Sequence, residues 1–435
     1  MIYDKQKFSP SALSDRHSVK HQGEWRKHDN PLAEILRNQS LKVHFQPIVS
    51  LKKKTVIGVE SLARATDPES GEALPPQQLF DWAAEQEGQT VELDRLCCRK
   101  AMQSFLPLAD LPQKPLIFVN FESSVLDKGV LSSGYLHRTV LEAGISPSDV
   151  VIEINESKVV DLEALRRFVD IHRRQGFLIA LDDLGAGFSN LARIFLLKPE
   201  IVKLDRSLIM GIENDFYKRE IFKALVGLGR RVGSLILAEG VESEEEVSAC
   251  VDLGADLAQG YFFGRPAAPD RLPLEILETQ LNTTLLRLRQ QATEHWTEWY
   301  QDLEKTLDLL ARLTAELSNQ GVSSFDEALN HMISWSPTME CLYVLDHFGT
   351  QVSDTVESPA MAVLPRTRLF YPAKKGTDHS SKEYFYGLLD GQLPRYTTEV
   401  YLSLASGKLC RTISFRFKDK GGMPYVLCLD LNAAN

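Results

Sequence analysis

No stretch of this 435-residue chain approaches the ~20 apolar residues a membrane-spanning helix needs, and the longest, such as SLILAEGV, stops well short. The six cysteines (Cys97, Cys98, Cys250, Cys341, Cys410, Cys428) form no C-x-x-C pair, and no histidine stands at zinc-ligand spacing from them. Four lie in apolar runs, where cysteine behaves as a small hydrophobe, so reduced buried thiols are expected rather than zinc or thiol chemistry. Positive charge is also scarce. Against 59 Asp and Glu stand 49 Lys and Arg, a formal net charge of −10, so no overall basic surface draws in DNA or RNA. An anionic substrate would need local positive charge, from metal ions or a few placed basic side chains. The opening segment, MIYDKQKFSPSALSD, lacks the apolar core of a signal peptide, and a cytoplasmic location with no membrane contact is expected. No repeat or low-complexity tract is visible.

What the chain does have is alternation. Residues 1–30 are polar and aperiodic and read as a flexible arm. From Pro31 onward, short apolar runs (KVHFQPIV, TVIGVESLAR, PLIFVNFE, DVVIEINES, FLIALDDL, EIVKLDR, SLILAEGV, DLAQGYFF) alternate with amphipathic stretches such as LEALRRFVDIHRRQG. This is the pattern of a mostly parallel sheet covered by helices. Eight strands over residues 31–268 fit a (β/α)8-type barrel. The first two runs are separated only by SLKKK, too short for a crossover helix, so the first strand should run antiparallel.

Residues 269–321 turn helical, with Leu274, Leu277, Leu281, Leu285 and Leu288, then Leu303, Leu307, Leu310 and Leu313, at helix-face spacing. A helix packed on the barrel is one reading. The length of the seam favours a linker that also pairs with a partner chain, hence a homodimer. Residues 322–435 hold one short helix (FDEALNHMI) and several β-type runs: ECLYVLDH, RTRLFYPA, TTEVYLSL, LCRTISFRF and MPYVLCLDL. Turn signals between the last three predict an antiparallel meander in an α+β domain.

The chemistry gathers at strand ends. Glu60, Asn120, Glu153, Asp182, Asp183, Asp205 and Glu239 each close one of the predicted strands. Barrel sites form at the C-terminal ends of the strands, so these groups should converge on one mouth. Carboxylates forced together repel unless something positive sits among them. An oxygen-rich cluster of this kind suits hard cations, Mg²⁺ or Mn²⁺. Each residue alone is more often a solvated strand end or a structural ion pair; the series in register points to a site.

Residues 41–266 resemble the EAL family of cyclic di-GMP phosphodiesterases. The resemblance rests on eight ordered segments: FQPI, ESLAR, VNFESS, IEINES, DDLGAGFSNL, VKLDRSLI, AEGVES and QGYFFGRP. It implies a metal-dependent hydrolase that opens cyclic di-GMP to the linear dinucleotide pGpG. Glu60, Asn120, Glu153 and Asp182 would bind a first divalent ion, and Asp182, Asp183 and Glu239 a second. Lys203 would orient the attacking water, Gln259 would position the centre, and Gln46, Arg64 and Asp205 would meet the substrate. Glu156 and Glu242 would anchor the loop after the Asp-Asp strand. A structural reading of Lys203 is the buried counter-ion of Asp205. The sequence departs from the family pattern at Ser61, Asn155, Leu184, Ala186, Phe188 and Asn190. The loop changes bear on rate more than on binding, and leave a non-hydrolysing cyclic di-GMP receptor as the alternative. No GGDEF-like segment is present, so synthesis of the dinucleotide is not implied.

The C-terminal segment resembles PAS-like or Cache sensory domains, on LYVLDHFGTQVS, KEYFYGLL and EVYLSLASGKLCRTISFRF. The resemblance implies a small-molecule ligand, matched to Tyr384, Tyr386, Tyr401 and Asp430. An aromatic core is the competing reading of those residues.

Overall fold

The computed structural model describes residues 30–126, 134–155, 161–186, 191–272, 274–362, 369–388 and 393–432. The chain forms two compact units divided at Gln290. The first is a closed barrel. Its strands are β1 (Lys42–Ser50), β2 (Thr55–Thr66), β4 (Leu116–Phe121), β5 (Val150–Asn155), β6 (Leu178–Leu184), β7 (Ile201–Leu204), β8 (Leu235–Ala238) and β9 (Leu257–Gln259), with a two-residue strand β3 (Ala73–Leu74) beside β2. All neighbours from β2 through β4 to β9 run parallel, while β1 closes the ring antiparallel to both β2 and β9. The short SLKKK turn forces that reversal, as expected.

One interior layer explains how the barrel presents its chemistry. Ile48, Phe118, Val151, Ala180, Ile201, Leu237 and Leu257, one from each of seven strands, pack together inside. The eighth strand contributes Gly58, where a Cβ would lie 2.6 Å from the Phe118 ring. Alternate residues of a strand share a face, so the positions two residues further toward the C-terminal rim form the next layer. Those positions are Glu60, Asn120, Glu153, Asp182, Lys203, Glu239 and Gln259. On the reversed β1, the equivalent position is two residues earlier, Gln46.

The helix Leu274–Ser318 contributes to both units. Leu277, Leu281, Leu285 and Leu288 are buried in the barrel unit's core, and Leu310, Leu313 and Leu317 in the core of the second unit. These seam leucines are thus covered within the chain, so the packed-helix reading holds for them and they offer no face to a partner. Among the described residues no helix is long and apolar enough to cross a membrane.

The second unit is built on a sheet ordered β11 (Val356–Glu357), β10 (Met339–Leu345), β15 (Pro424–Asn432), β14 (Leu409–Lys418) and β12 (Arg395–Thr397), with β13 (Tyr401–Leu402) also paired to β14. The helix Phe325–Met332 packs on it. The run RTRLFYPA yields no strand in its described part, residues 369–373, where the Tyr371 N–H bonds the Leu404 carbonyl at 2.8 Å; β-propensity by itself does not suffice.

Asp430 on β15 is buried, and burial pushes its carboxyl up to about 7, against the hydrogen bond from Thr412. A carboxyl raised above its ordinary 3.8 in the folded state binds its proton more tightly there than in the unfolded chain. Its contribution is therefore full below about pH 4 and is lost as pH rises through about 7. Relative to Asp430→Asn, the wild-type unit should lose on the order of 2–4 kcal/mol over that window. Hydrogen exchange of β15 amides checks this; parallel pH profiles for the two proteins would contradict it.

Candidate active site

Lys203 stands at the centre of the rim layer, 1% exposed. Its Nζ lies 2.6 Å from Glu153 Oε1, 2.7 Å from Glu239 Oε1, 3.0 Å from Asp182 Oδ1 and 4.0 Å from Glu60 Oε2. Burial pulls the lysine downward, but Asp182, Glu153, Glu239 and Glu60 together outweigh it and hold the ammonium charged. Glu153 and Glu239 also move upward, which for an acid favours the neutral form. Burial raises both well above the carboxylate range, and neighbouring acids add to the rise despite Lys203. Lys203 is therefore not the partner of Asp205. The Asp205 carboxylate accepts the Ser207 N–H at 2.9 Å, capping the turn that follows β7.

Glu60 is locked by amides. Asn120 Nδ2 donates to its Oε1 at 3.1 Å, and Gln259 Nε2 to its Oε2 at 2.5 Å. Gln259 Nε2 also donates to Gln46 Oε1 at 3.1 Å, and Gln46 donates to the Gly264 carbonyl at 3.0 Å. Gln46 and Gln259 are thus bonded side chain to side chain across the barrel seam. Gly260 makes the adjoining turn possible. A Cβ there would lie 2.0 Å from the Val241 carbonyl oxygen, while Val241 N–H bonds the Gln259 carbonyl at 3.0 Å and holds the Glu239–Val241 segment against β9.

Asp182 and Asp183 are consecutive and would point to opposite faces of a regular strand. The β6–β7 register shifts between Leu181 and Leu184, and Asp183 takes φ +58°. This bulge, with aspartate tolerating the left-handed region, turns both carboxylates to the mouth. Oxygen atoms of Asp182, Asp183 and Glu239 approach within 4.8 Å of one another, a spacing able to hold a metal ion. Burial and then Asp182 raise the Asp183 carboxyl to about 6. Asn155, which the sequence marked only as a departure, donates to Asp183 Oδ2. Asp94 was missed altogether: it accepts the Glu122 N–H at 3.0 Å and steadies the loop after Asn120, with burial pushing its carboxyl up to about 7. A lone aspartate within a helix carries no sequence signal of such a contact.

A cavity of ≈ 310 Å³ opens above this layer. Glu60, Arg64, Asn120, Asp182 and Asp183 line it. Arg64 supplies the positive charge at its wall, its Nη1 bonded to the Ala63 carbonyl at 2.8 Å. Glu242 pairs with Arg206 at 2.9 Å. Glu156 and the loop residues Phe188 and Asn190 lie outside the described residues.

The donor set fits hard divalent cations. Glu153 Oε2 is buried without a hydrogen-bond donor, and Oε1 is met by the Lys203 ammonium at 2.6 Å. The four acids of the layer, Glu60, Glu153, Asp182 and Glu239, with Asp183 beside them, are more than one ammonium can balance, and oxygen-coordinated dications would let them ionise together.

The EAL domain family profile matches residues 29–266, more than half of the chain. Cyclic di-GMP phosphodiesterase RocR of Pseudomonas aeruginosa is 30% identical over 240 residues, 54% of this chain and 60% of RocR. Cyclic di-GMP phosphodiesterase NbdA of the same organism is 29% identical over 252 residues, 58% of this chain and 31% of NbdA. Among solved structures, the PaMucR phosphodiesterase in complex with c-di-GMP aligns with a TM-score of 0.51 at 29% identity, covering 56% of this chain and 98% of that one. The Bacillus subtilis YkuI protein, solved with c-di-GMP and calcium, shares the fold over 93% of this chain and 99% of its own, with a TM-score of 0.75 at 22% identity. The chain thus spans under two thirds of the length of the relatives RocR and NbdA, and the matched region coincides with the barrel and its acidic rim: the chain belongs to the EAL-domain family.

Proposed function

We propose that the barrel hydrolyses cyclic di-GMP to pGpG with the help of two divalent ions, Mg²⁺ or Mn²⁺. The observation that carries this reading is the buried acidic layer around Lys203, with Glu153 Oε2 lacking a donor. Glu60, Asn120, Glu153 and Asp182 would hold one ion, and Asp182, Asp183 and Glu239 the other. When bound, the ions supply Lewis acidity toward a phosphate oxygen and toward the water nucleophile. In the reaction, water oxygen bonds to phosphorus, the bond from phosphorus to the ribose 3′ oxygen breaks, and that oxygen gains a proton. Lys203, held charged by four acids, would donate toward the developing negative charge. Arg64 would meet a phosphate oxygen at the cavity wall. Gln259, Gln46 and Asn120 would fix Glu60, and Asp205 would act beside Asp183.

Incubating the full chain with cyclic di-GMP and Mg²⁺ or Mn²⁺ should yield pGpG, and chelation should stop it. Tight binding without product would instead establish the receptor reading, to which the altered loop residues point. Around the barrel (31–268), residues 1–30 would serve as an arm, 269–321 as the helical connector and 322–435 as a PAS/Cache-like sensory domain; Glu156 and Glu242 would anchor the loop after β6.

A homodimer is supported by exposed apolar side chains after β6 and β7: Leu191, Phe195 (78% exposed), Met210, Phe216 and Tyr217 (78% exposed). Light scattering should give twice the chain mass for the wild type and a monomer for Phe195→Glu; a monomeric wild type removes the dimer from this reading.

A further inference from the structure

Register decides which face of a barrel strand a side chain takes, and on β2 the register changes near its start. Val49 pairs with Val56, but the next matched pair is Ile48 with Gly58, so Ile57 is an extra residue opposite β1. In a regular strand Val56 and Gly58 would share a face. Here Val56 packs in the core between strands and helices, whereas Ile57 packs on the interior layer and Gly58 lies opposite Ile48 of that layer. The bulge thus carries β2 from one face to the other, and Glu60, two residues beyond Gly58, enters the barrel because of it. With unbroken alternation from Val56, Glu60 would point outward and Ser61 would take its place inside.

The foot of β2 is held from outside the barrel. Lys54, the last residue of the β1–β2 turn, takes φ +59°, uncommon for any residue but glycine. Asn282 Nδ2 lies 3.5 Å from its carbonyl oxygen. Glu278 Oε1 accepts the Thr55 hydroxyl and, at 3.1 Å, the Val56 N–H. One carboxylate oxygen therefore grips the two residues directly ahead of the bulge. Val56 also stands two residues before β4 begins to pair with β2 at Gly58, and the carboxylate takes up its N–H there. Glu278 is fixed in turn by its helix, whose Leu277 and Leu281 are buried in the barrel unit's core. It lies beyond residues 29–266, the stretch shared with the EAL family.

We propose that Glu278 is a positioning residue for Glu60: it clamps the foot of β2 ahead of the bulge and selects the register that turns Glu60 into the rim layer. The inference rests on the reading of Glu60 as a metal ligand. A chain without the clamp divides its time between registers, and an ion binds only the one in which Glu60 faces inward. Apparent metal affinity then falls with the fraction of chain in that register.

The test uses the full chain carrying Glu278→Ala or Glu278→Gln, with Glu275→Ala, an exposed acid three residues earlier on the same helix, as the control for charge. Glu278→Ala should weaken Mn²⁺ binding about tenfold in calorimetry, with KM for cyclic di-GMP at saturating Mn²⁺ within about twofold of wild type. Without metal, hydrogen exchange should quicken about tenfold at the Val56–Glu60 amides and stay as in wild type on β7 and β8. Glu278→Gln keeps an oxygen that accepts both hydrogens and should restore most of both properties; Glu275→Ala should match the wild type. If Glu278→Ala does not fold, Thr55→Val, which removes one of the two gripped hydrogens, takes its place with the same expected signs.

The exchange measurement needs neither ion nor substrate, so it is read separately from the metal reading, which unchanged Mn²⁺ affinity in Glu60→Ala would overturn. Wild-type exchange on β2 in Glu278→Ala, or a defect in Glu278→Gln as large as in Glu278→Ala, would overturn the clamp. So would exchange quickened equally on every barrel strand, the mark of lost stability rather than of a changed register.

Discussion

Replacing Lys203 by Met should lower the rate of cyclic di-GMP hydrolysis by about 10²–10³-fold, the scale of losing one aimed donor in a dry site, while leaving affinity for the dinucleotide near that of the wild type. The same change should destabilise the protein in the presence of a chelator. The ammonium sits 2.6–3.0 Å from three carboxylates, two of them buried, and removing one partner of a buried ion pair costs about 3–5 kcal/mol. Added Mn²⁺ should close most of that gap, because a dication supplies the missing charge. Two outcomes separate the roles. If thermal stability in chelator is unchanged, Lys203 does not balance the acids. If affinity falls as far as rate, Lys203 is a substrate contact rather than a donor to the reacting centre.

Glu60→Ala should abolish measurable hydrolysis, a loss of about 10³-fold or more, and weaken Mn²⁺ binding in calorimetry. The carboxylate is held from two sides, by Asn120 at 3.1 Å and Gln259 at 2.5 Å, so its position is built by the fold rather than induced by a ligand. Glu60→Gln keeps the shape and removes the charge, so it should retain near-wild-type stability yet share the catalytic defect. Wild-type turnover in either variant would refute the metal-ligand assignment. Activity lost in Ala but kept in Gln would make Glu60 a packing element for the amide chain.

Much of the rim could be read from the chain itself, for a reason the interior layer makes plain. Parallel strands buried on both faces are written as apolar runs, so the first polar residue after each run marks the rim. Glu60, Asn120, Glu153, Asp182 and Glu239 all announced themselves in this way. Lys203 and Asp205 looked like partners because they are two residues apart, but β7 ends at Leu204 and Asp205 has already turned away to cap. The bulge at Asp182 and Asp183 leaves no compositional trace, since a register shift depends on the neighbouring strand. The leucine spacing after Leu274 gave a helix face but could not say what covers it; the two cores of the chain cover Leu277, Leu281, Leu285, Leu288, Leu310 and Leu313.

The reversed first strand has a consequence for how such a barrel comes into being during synthesis. β1 must wait for β9, and the Gln46 and Gln259 side chains that meet across this seam are 213 residues apart in sequence. Until the last barrel strand leaves the ribosome, β1 and the growing edge of the sheet both expose unpaired main chain, the arrangement most open to wrong partners. Contacts of such long range are slow to form. Because Gln259 grips Glu60 only once that seam has zipped, a nascent or half-folded barrel lacks the ordered Glu60 on which metal binding would depend. Closure of the cylinder and competence of the site would therefore arrive together, so an incomplete chain should be unable to deplete the second messenger.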